Sequence, residues 1–182
     1  MTSPLQPSPL QESGVSPPMR RPPGGITIRV SAGSGSGRTP LSAFDAALRD
    51  AGVSDFNLVR LSSVIPPGST VVDVHGRHQI TGGHGDLLYC IYAAAYAYTP
   101  GETAWAGVAW ALDRGGSGAG LFVEHDAHTR PDLEWALAAS IEDLSVRRGG
   151  GFDPAGSILT PATCTGPPAC AVVIASYRRE GW

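Results

Sequence analysis

The chain has 182 residues, of which 42% are hydrophobic and 16% are charged, and its formal net charge is −3. This length suits one domain with a sizeable core, and the charge gives no basic surface of the kind that binds nucleic acid. The longest apolar run, Leu87 to Tyr98, is too short to span a bilayer, and the polar N-terminus lacks the apolar segment of a signal peptide. We therefore expect a cytoplasmic protein with neither membrane nor nucleic-acid partners.

The basic residues narrow the chemistry further, because all thirteen are arginine and none is lysine. Pyridoxal phosphate enzymes hold their cofactor on a lysine, and P-loop enzymes need a lysine to bind phosphate. The absence of lysine therefore argues against both classes of enzyme. The cysteines Cys90, Cys164 and Cys170 include no CxxC pair, and no cysteine accompanies the histidines to complete a tetrahedral set. We expect neither a disulfide framework nor a metal site. The three cysteines are expected to be buried as small apolar residues.

The chain begins with a stretch that has little to bury. Residues 1–24 are rich in proline, serine and glutamine, which predicts a disordered tail followed by one domain over 25–182. Ile26, Ile28 and Val30 alternate with polar residues, the period of a half-buried strand. The glycine and serine residues of 31–37 then predict a loop.

A helix is predicted next. Thr39 is a suitable N-cap, a proline follows at the first helical position, and Leu41, Phe44 and Leu48 fall on one face. A strand over 56–65 follows and is stopped by Pro66-Pro67-Gly68. Further strands are predicted over 70–74, 87–98, 102–112 and 119–125, with Thr99-Pro100-Gly101 as the turn of a hairpin between the two longest.

A second helix is predicted from Pro131 to Arg148. Its apolar stripe is formed by Leu133, Leu137, Ile141 and Leu144. Strands near 156–160 and 169–178 complete the chain. This order of elements predicts an α+β fold, layered as an αββα sandwich.

The segment that carries chemistry is the serine pair Ser62-Ser63 at a strand end, just before two prolines. Together with several other segments, it resembles the pyruvoyl-dependent arginine decarboxylases. The matching segments, in family order, are Gly33 to Gly37, Pro40 to Leu48, Asn57 to Pro67, Pro100 to Thr103 and Gly120 to Glu124.

The resemblance implies that the Ser63 hydroxyl attacks the carbonyl of Ser62 and that the chain is cut between 62 and 63. Ser63 would then become an N-terminal pyruvoyl group, a covalent cofactor that replaces pyridoxal phosphate. The implied reaction is the decarboxylation of L-arginine to agmatine. In this family the active site lies between subunits, so a homotrimer of cleaved protomers, or a multiple of it, is expected.

The resemblance also assigns the other site residues. Glu124 is the expected proton donor, and a donor carboxylic acid needs burial to keep its proton near neutral pH. His125 and Asp126 are rival donors, although strand alternation points His125 to the opposite face. Asp45 is expected to contact the substrate guanidinium, and Asn57 to supply a polar contact near the cleavage site.

Other interpretations stay open. Gly33-x-Gly35-x-Gly37 lies between a strand and a helix but lacks the GxGxxG spacing of dinucleotide-binding loops. The segment His75 to Gly85 fits the family pattern poorly, so another basic or small amino acid remains an alternative substrate. The chain could also be an inactive trimeric regulatory relative, or a self-processing hydrolase that uses Ser63 as a new N-terminal serine.

Overall fold

The computed structural model describes residues 24–74 and 80–182, so all but one residue of the predicted tail lies outside it. Two helices and nine strands are formed by these described residues. In chain order they are β1 (Thr27–Ser36), α1 (Pro40–Asp50), β2 (Asn57–Arg60), β3 (Val64–Ile65), β4 (Thr70–Asp73), β5 (Leu87–Ala97), β6 (Thr103–Asp113), β7 (Gly120–Ala127), α2 (Arg130–Arg147), β8 (Phe152–Thr163) and β9 (Ala169–Glu180).

The strands form two sheets. One has the order β2-β5-β9-β1-β4 and the other the order β3-β7-β6-β8. In the five-stranded sheet, β1 lies between β9, to which it is antiparallel, and β4, to which it is parallel. β2 runs parallel to β5 at the opposite edge of that sheet.

The two sheets pack face to face, and each carries one helix on its outer face. Alternate residues of the strands fill the space between the sheets, among them Ile91, Val108, Phe122 and Val173. Outside the larger sheet, α1 buries Ala43, Ala47 and Leu48 against β9, and outside the smaller sheet α2 buries Leu133, Leu137 and Ile141. The predicted α+β class, with two helices and two sheets, is confirmed.

The start of α1 follows from local sequence. The Thr39 hydroxyl accepts a hydrogen bond from the Ser42 amide at 3.1 Å, and the Ser42 hydroxyl accepts one from the Thr39 amide at 3.0 Å. This capping box satisfies amides that have no partner within the helix. The predicted apolar face was partly wrong, because Leu41 is 77% exposed. The helix instead packs through alanines, which bring it close to the sheet.

That close approach explains why the glycine-rich segment is not the predicted loop. Residues 31–36 continue β1, and Gly33 and Gly35 pair with β9. A Cβ at Gly33 would lie 2.3 Å from the Ala47 carbonyl oxygen, and one at Gly35 would lie 2.5 Å from the Ala46 Cβ. The glycines therefore lie where the backbone of α1 packs against the strand. Because glycine has a low strand propensity, the sequence gives no sign of this role.

Two further predictions about the strands were wrong. Residues 56–65 are not one strand, because β2 belongs to the larger sheet and β3 to the smaller. Likewise, Thr99-Pro100-Gly101 does form a turn, but it joins strands of different sheets, so β5 and β6 are not a hairpin. Alternation of apolar residues marks a strand without saying which sheet it joins.

The remaining elements agree with the sequence. The apolar stripe of α2 is confirmed, with Leu133, Leu137 and Ile141 buried, and the cysteines are buried and unpaired as expected. Neither helix in the described ranges is long and apolar enough to cross a membrane.

Candidate active site

The serine pair lies where the chain crosses from one sheet to the other. Arg60 ends β2 in the larger sheet, and Val64 begins β3 in the smaller one. The amide of Leu61 still donates to the Cys90 carbonyl of β5 at 2.8 Å, whereas Ser62 is exposed. The connection that contains Ser62 and Ser63 therefore bridges the two sheets at their edge.

Ser63 has a strained backbone. In the described part of the chain it is the one residue other than glycine with a positive φ, at 63°. This left-handed conformation costs a residue with a Cβ roughly 1–2 kcal/mol. It is held by the smaller sheet, since the Phe122 amide of β7 donates to the Ser63 carbonyl at 2.8 Å. Strain that the surrounding structure maintains in this way is typical of functional positions.

The left-handed conformation directs the Ser63 side chain to Glu124. The hydroxyl lies 2.9 Å from both carboxylate oxygens, across 61 residues of sequence. The Glu124 side chain is partly buried, with 19% of its surface exposed. A serine hydroxyl is a weak nucleophile until a base takes its proton, and a carboxylate at hydrogen-bond distance is such a base. The structure thus unites the two residues predicted to be catalytic.

Residues 27–164 match the family described as pyruvoyl-dependent arginine decarboxylase. The chain belongs to the pyruvoyl-dependent arginine decarboxylase family. The resemblance found in the sequence is confirmed.

Named relatives agree with the family match, and each of the following is called pyruvoyl-dependent arginine decarboxylase. One from Halobacterium salinarum is 38% identical over 152 residues, which cover 82% of this chain and 92% of the relative. One from Methanococcus vannielii is 30% identical over 138 residues, covering 75% and 81%. One from Methanocaldococcus jannaschii is 36% identical over 100 residues, covering 55% and 58%.

Not every residue that the decarboxylase resemblance suggested lies beside Ser63. Asn57 is at the start of β2, and its side-chain amide donates to the Gly85 carbonyl at 2.7 Å. Asp45 is exposed on α1, in the outer helix layer. Within one protomer the structure therefore brings Ser63 and Glu124 together and places Asp45 and Asn57 elsewhere. Residues 75–79, five of the eleven residues in the stretch that fits the family poorly, lie outside the described residues.

The two rival donors differ from Glu124 in direction. The His125 Nε2 lies 2.7 Å from the Ser140 hydroxyl of α2, on the outer face of the sheet, as alternation predicted. Asp126 is exposed one pair of residues further along β7. Glu124 alone of the three is hydrogen-bonded to Ser63 in the described structure.

Arg60 is a neighbour of Glu124 that the sequence did not reveal. Its Nη2 lies 3.5 Å from Glu124 Oε1 and donates to the Tyr92 carbonyl at 3.1 Å. Its guanidinium carbon also lies 4.8 Å from the centre of the Tyr92 ring. The ring contact and the carbonyl fix the position of the guanidinium. A positive charge is thereby kept beside the carboxylate that receives the serine hydrogen bond.

Tyr177 was also missed, since it lies 113 residues beyond its partner. Its hydroxyl donates to the Val64 carbonyl at 3.2 Å, and its ring packs edge-on against Phe122 at 6.0 Å between centroids. Burial, and to a smaller degree Glu124 and Cys90, raise the pKa of the Tyr177 hydroxyl well above its usual value. The neutral hydroxyl is the form that donates this hydrogen bond.

Among the residues in 24–74 and 80–182, no three histidine, cysteine, aspartate or glutamate side chains form a group that could hold a metal ion.

Proposed function

We propose that this protein removes the carboxyl group of L-arginine to give agmatine and CO2, using a pyruvoyl group formed from Ser63. The observation that carries the proposal is the strained Ser63 with its hydroxyl on Glu124, in a chain of the pyruvoyl-dependent arginine decarboxylase family. The catalytic domain spans 25–182, and the cut falls between 62 and 63.

The surroundings of Ser63 fit such a group. Its carbonyl is held by the Phe122 amide, its side chain meets an acid, and the preceding residue is exposed, so cutting there leaves the hydrogen bonds of β3 intact. The chain also has no lysine on which pyridoxal phosphate could be held. When formed, the pyruvoyl group supplies a ketone that binds the substrate amine and an adjacent carbonyl that accepts the electrons released with CO2.

The self-cleavage step uses Ser63 and Glu124. Glu124 takes the hydroxyl proton as Ser63 Oγ attacks the Ser62 carbonyl carbon, and it returns that proton to the peptide nitrogen, which leaves as the amine of Ser63. The link between the two residues is then an ester. Removal of the Ser63 Cα proton then breaks the Ser63 Cβ–Oγ bond of the ester and releases Ser62 with a free carboxylate. The resulting dehydroalanine tautomerises to an imine, and water hydrolyses that imine to the ketone with release of ammonia.

After cleavage the same neighbours have a second use. The Phe122 amide still donates to the carbonyl of residue 63, so it stabilises negative charge on that oxygen. Glu124, no longer bonded to a serine hydroxyl, holds the proton that is returned to the substrate carbon. Arg60, 3.5 Å from that carboxylate, stabilises it after the proton has left.

Substrate recognition is proposed to need a second protomer. Asp45 is exposed on α1, which is consistent with a carboxylate offered to the guanidinium in a neighbouring protomer's site. Large apolar side chains are also exposed on this helix and beside Ser63, Leu41 at 77% and Val64 at 46%. A contact between these surfaces would cover both, in a trimer or a multiple of it. The polar contact expected from Asn57 near the cleavage site and a cytoplasmic location stay predictions.

The proposal is tested by intact mass of the purified protein. We expect two fragments, 1–62 and 63–182, the second without a free α-amine and reactive with carbonyl reagents, and agmatine released from arginine. Ser63→Ala should remain one uncut chain. Ser62→Ala is the matched control, because the attack uses the carbonyl of residue 62 and not its side chain, so it should still cut.

Each alternative predicts a different result. A wild-type chain that stays uncut when folded would contradict the proposal and favour the regulatory relative. Two fragments with an ordinary serine amine at residue 63 would favour the hydrolase. Two fragments with the carbonyl, but with CO2 released from another amino acid in preference to arginine, would contradict the substrate assignment alone.

A further inference from the structure

The carbonyl of Val64 has no hydrogen-bond partner in the described ladder between β3 and β7. β3 is an edge strand that pairs with β7 alone, with Val64 opposite Leu121 and Ile65 opposite Gly120. Successive carbonyls of a strand point to opposite sides, and the Ser63 carbonyl already points to β7, where it accepts from Phe122. The Val64 carbonyl therefore points away from β7. A carbonyl turned towards the protein interior needs a partner from another element.

Tyr177 supplies that partner through an irregularity in β9. Tyr89 of β5 pairs with Arg178, and the next residue, Cys90, pairs with Ser176, so Tyr177 is the extra residue of a bulge. A bulge redirects side chains relative to a regular strand. The Tyr177 ring lies between the sheets, 8% exposed, and its hydroxyl is 3.2 Å from the Val64 carbonyl.

We propose that Tyr177 is a positioning residue for the reaction at Ser63. Its hydroxyl and the Phe122 amide hold two successive carbonyls, those of Val64 and Ser63, so the peptide between them cannot rotate. That restraint keeps Ser63 in the left-handed conformation that places its hydroxyl on Glu124. This inference rests on the proposed function. Tyr177 lies outside the residues 27–164 that match the family, so the match does not assign it.

The restraint matters more once the chain is cut. Residue 63 is then a chain end, and chain ends fray unless they are tied down. Beyond the short ladder of β3, the described contacts that hold the first two residues are the Phe122 amide on one carbonyl and the Tyr177 hydroxyl on the next. Losing the hydroxyl should therefore affect both the cutting and the turnover of cut enzyme.

The test is Tyr177→Phe, which removes one oxygen and keeps the ring against Phe122. Losing this hydrogen bond to the Val64 carbonyl should slow self-cleavage about tenfold, the factor that corresponds to ~1.4 kcal/mol. For the cut fraction we expect kcat to fall and KM to stay unchanged, because the hydroxyl does not touch the substrate. A role in stability alone would move the unfolding midpoint and leave both rates of folded protein unchanged.

Tyr89→Phe is the matched control, since the Tyr89 hydroxyl donates to Glu180 at 3.2 Å in an exposed contact between β5 and β9 of the same sheet. It should cut and turn over like wild type. If wild type cuts and Tyr177→Phe, fully folded by circular dichroism, cuts and turns over equally fast, the inference is overturned. Failure of wild type itself to cut would overturn the proposed function instead.

If Tyr177→Phe does not fold, fluorotyrosine at the same position keeps the shape and is a stronger donor. It should cut at least as fast as wild type, and slower cutting would contradict the inference.

Discussion

The glycines of β1 lead to a quantitative prediction, because they set the distance between α1 and the larger sheet. In Gly35→Ala the new Cβ would lie 2.5 Å from the Ala46 Cβ and 2.6 Å from the backbone of Ala46 and Ala47. Carbon atoms pack best at about 3.5–4.0 Å, so the helix must move by roughly 1 Å. Backbone atoms cannot rotate aside as a long side chain can. The strain therefore falls on the packing of α1 as a whole.

Overpacking a core costs about 1–3 kcal/mol, and we expect the upper end, ~3 kcal/mol, because backbone is involved. That is a large part of a typical total stability of about 5–15 kcal/mol. Urea unfolding followed by circular dichroism, with the slope compared between variants, measures the change in free energy of unfolding.

Two variants sharpen the measurement. Gly24→Ala makes the same chemical change where no atom lies within 4 Å, so its stability should equal that of wild type. Adding Ala46→Gly to Gly35→Ala removes only the contact at 2.5 Å and leaves the backbone contacts at 2.6 Å, so stability should recover only in part. A Gly35→Ala protein within about 0.5 kcal/mol of wild type, the spread of ordinary surface changes, would refute the reasoning.

Two predictions concern charged groups. Glu124→Gln keeps the shape of the side chain but cannot donate or accept the proton, so turnover per cut chain should fall by about 10²–10⁴-fold. The chain should also be cut at Ser63 more slowly. Unchanged turnover would exclude Glu124 as the proton donor. A hydrogen bond from Arg179, followed by one from the Gly83 amide, lowers the pKa of Asp86 below its usual 3.8. A lowered pKa stabilises the fold above pH 3.8, and the effect is lost as pH falls through the folded value. Asp86→Asn should therefore have a lower unfolding midpoint than wild type at neutral pH. The difference between the two midpoints should shrink on acidification, and a difference that stays constant would contradict an origin in the ionised Asp86 carboxylate.

The sequence predicted most elements because their signals are local. The N-cap at Thr39 was read from neighbouring residues, and the structure contains its hydrogen bonds. The apolar stripe of α2 likewise depends only on spacing. Strands were found from alternation, but their assignment to sheets was not, because pairing depends on residues far apart in the chain.

The errors have a common physical cause. Gly33 and Gly35 were read as a loop because glycine is a poor strand former, yet the approach of α1 admits no Cβ at these positions. Leu41 was placed in the core by its apolar side chain, although it is exposed. In each case a tertiary contact, or its absence, overrode the local preference.

The candidate site was predicted in part. Ser63 and Glu124 were both named through the family resemblance, and their contact joins residues 61 positions apart. Tyr177 and the Phe122 amide were not, because one acts from a bulge and the other through its backbone. Neither leaves a pattern in the sequence. Arg60 lies two residues before the serine pair, so its place near Ser63 could have been predicted from the cleavage segment itself.

The position of β1 has a consequence for a protein cut at residue 63. The shorter polypeptide would contribute β1 and β2, and the longer one β4, β5 and β9, so the shorter one supplies an interior strand flanked on both sides by the longer. The two pieces are interlaced, and neither can leave without dismantling a shared backbone ladder. After such a cut the two polypeptides would stay associated as one folded unit and would separate only in denaturant. The chain would also have to fold before it is cut, because a severed N-terminal piece would have to insert β1 between β9 and β4.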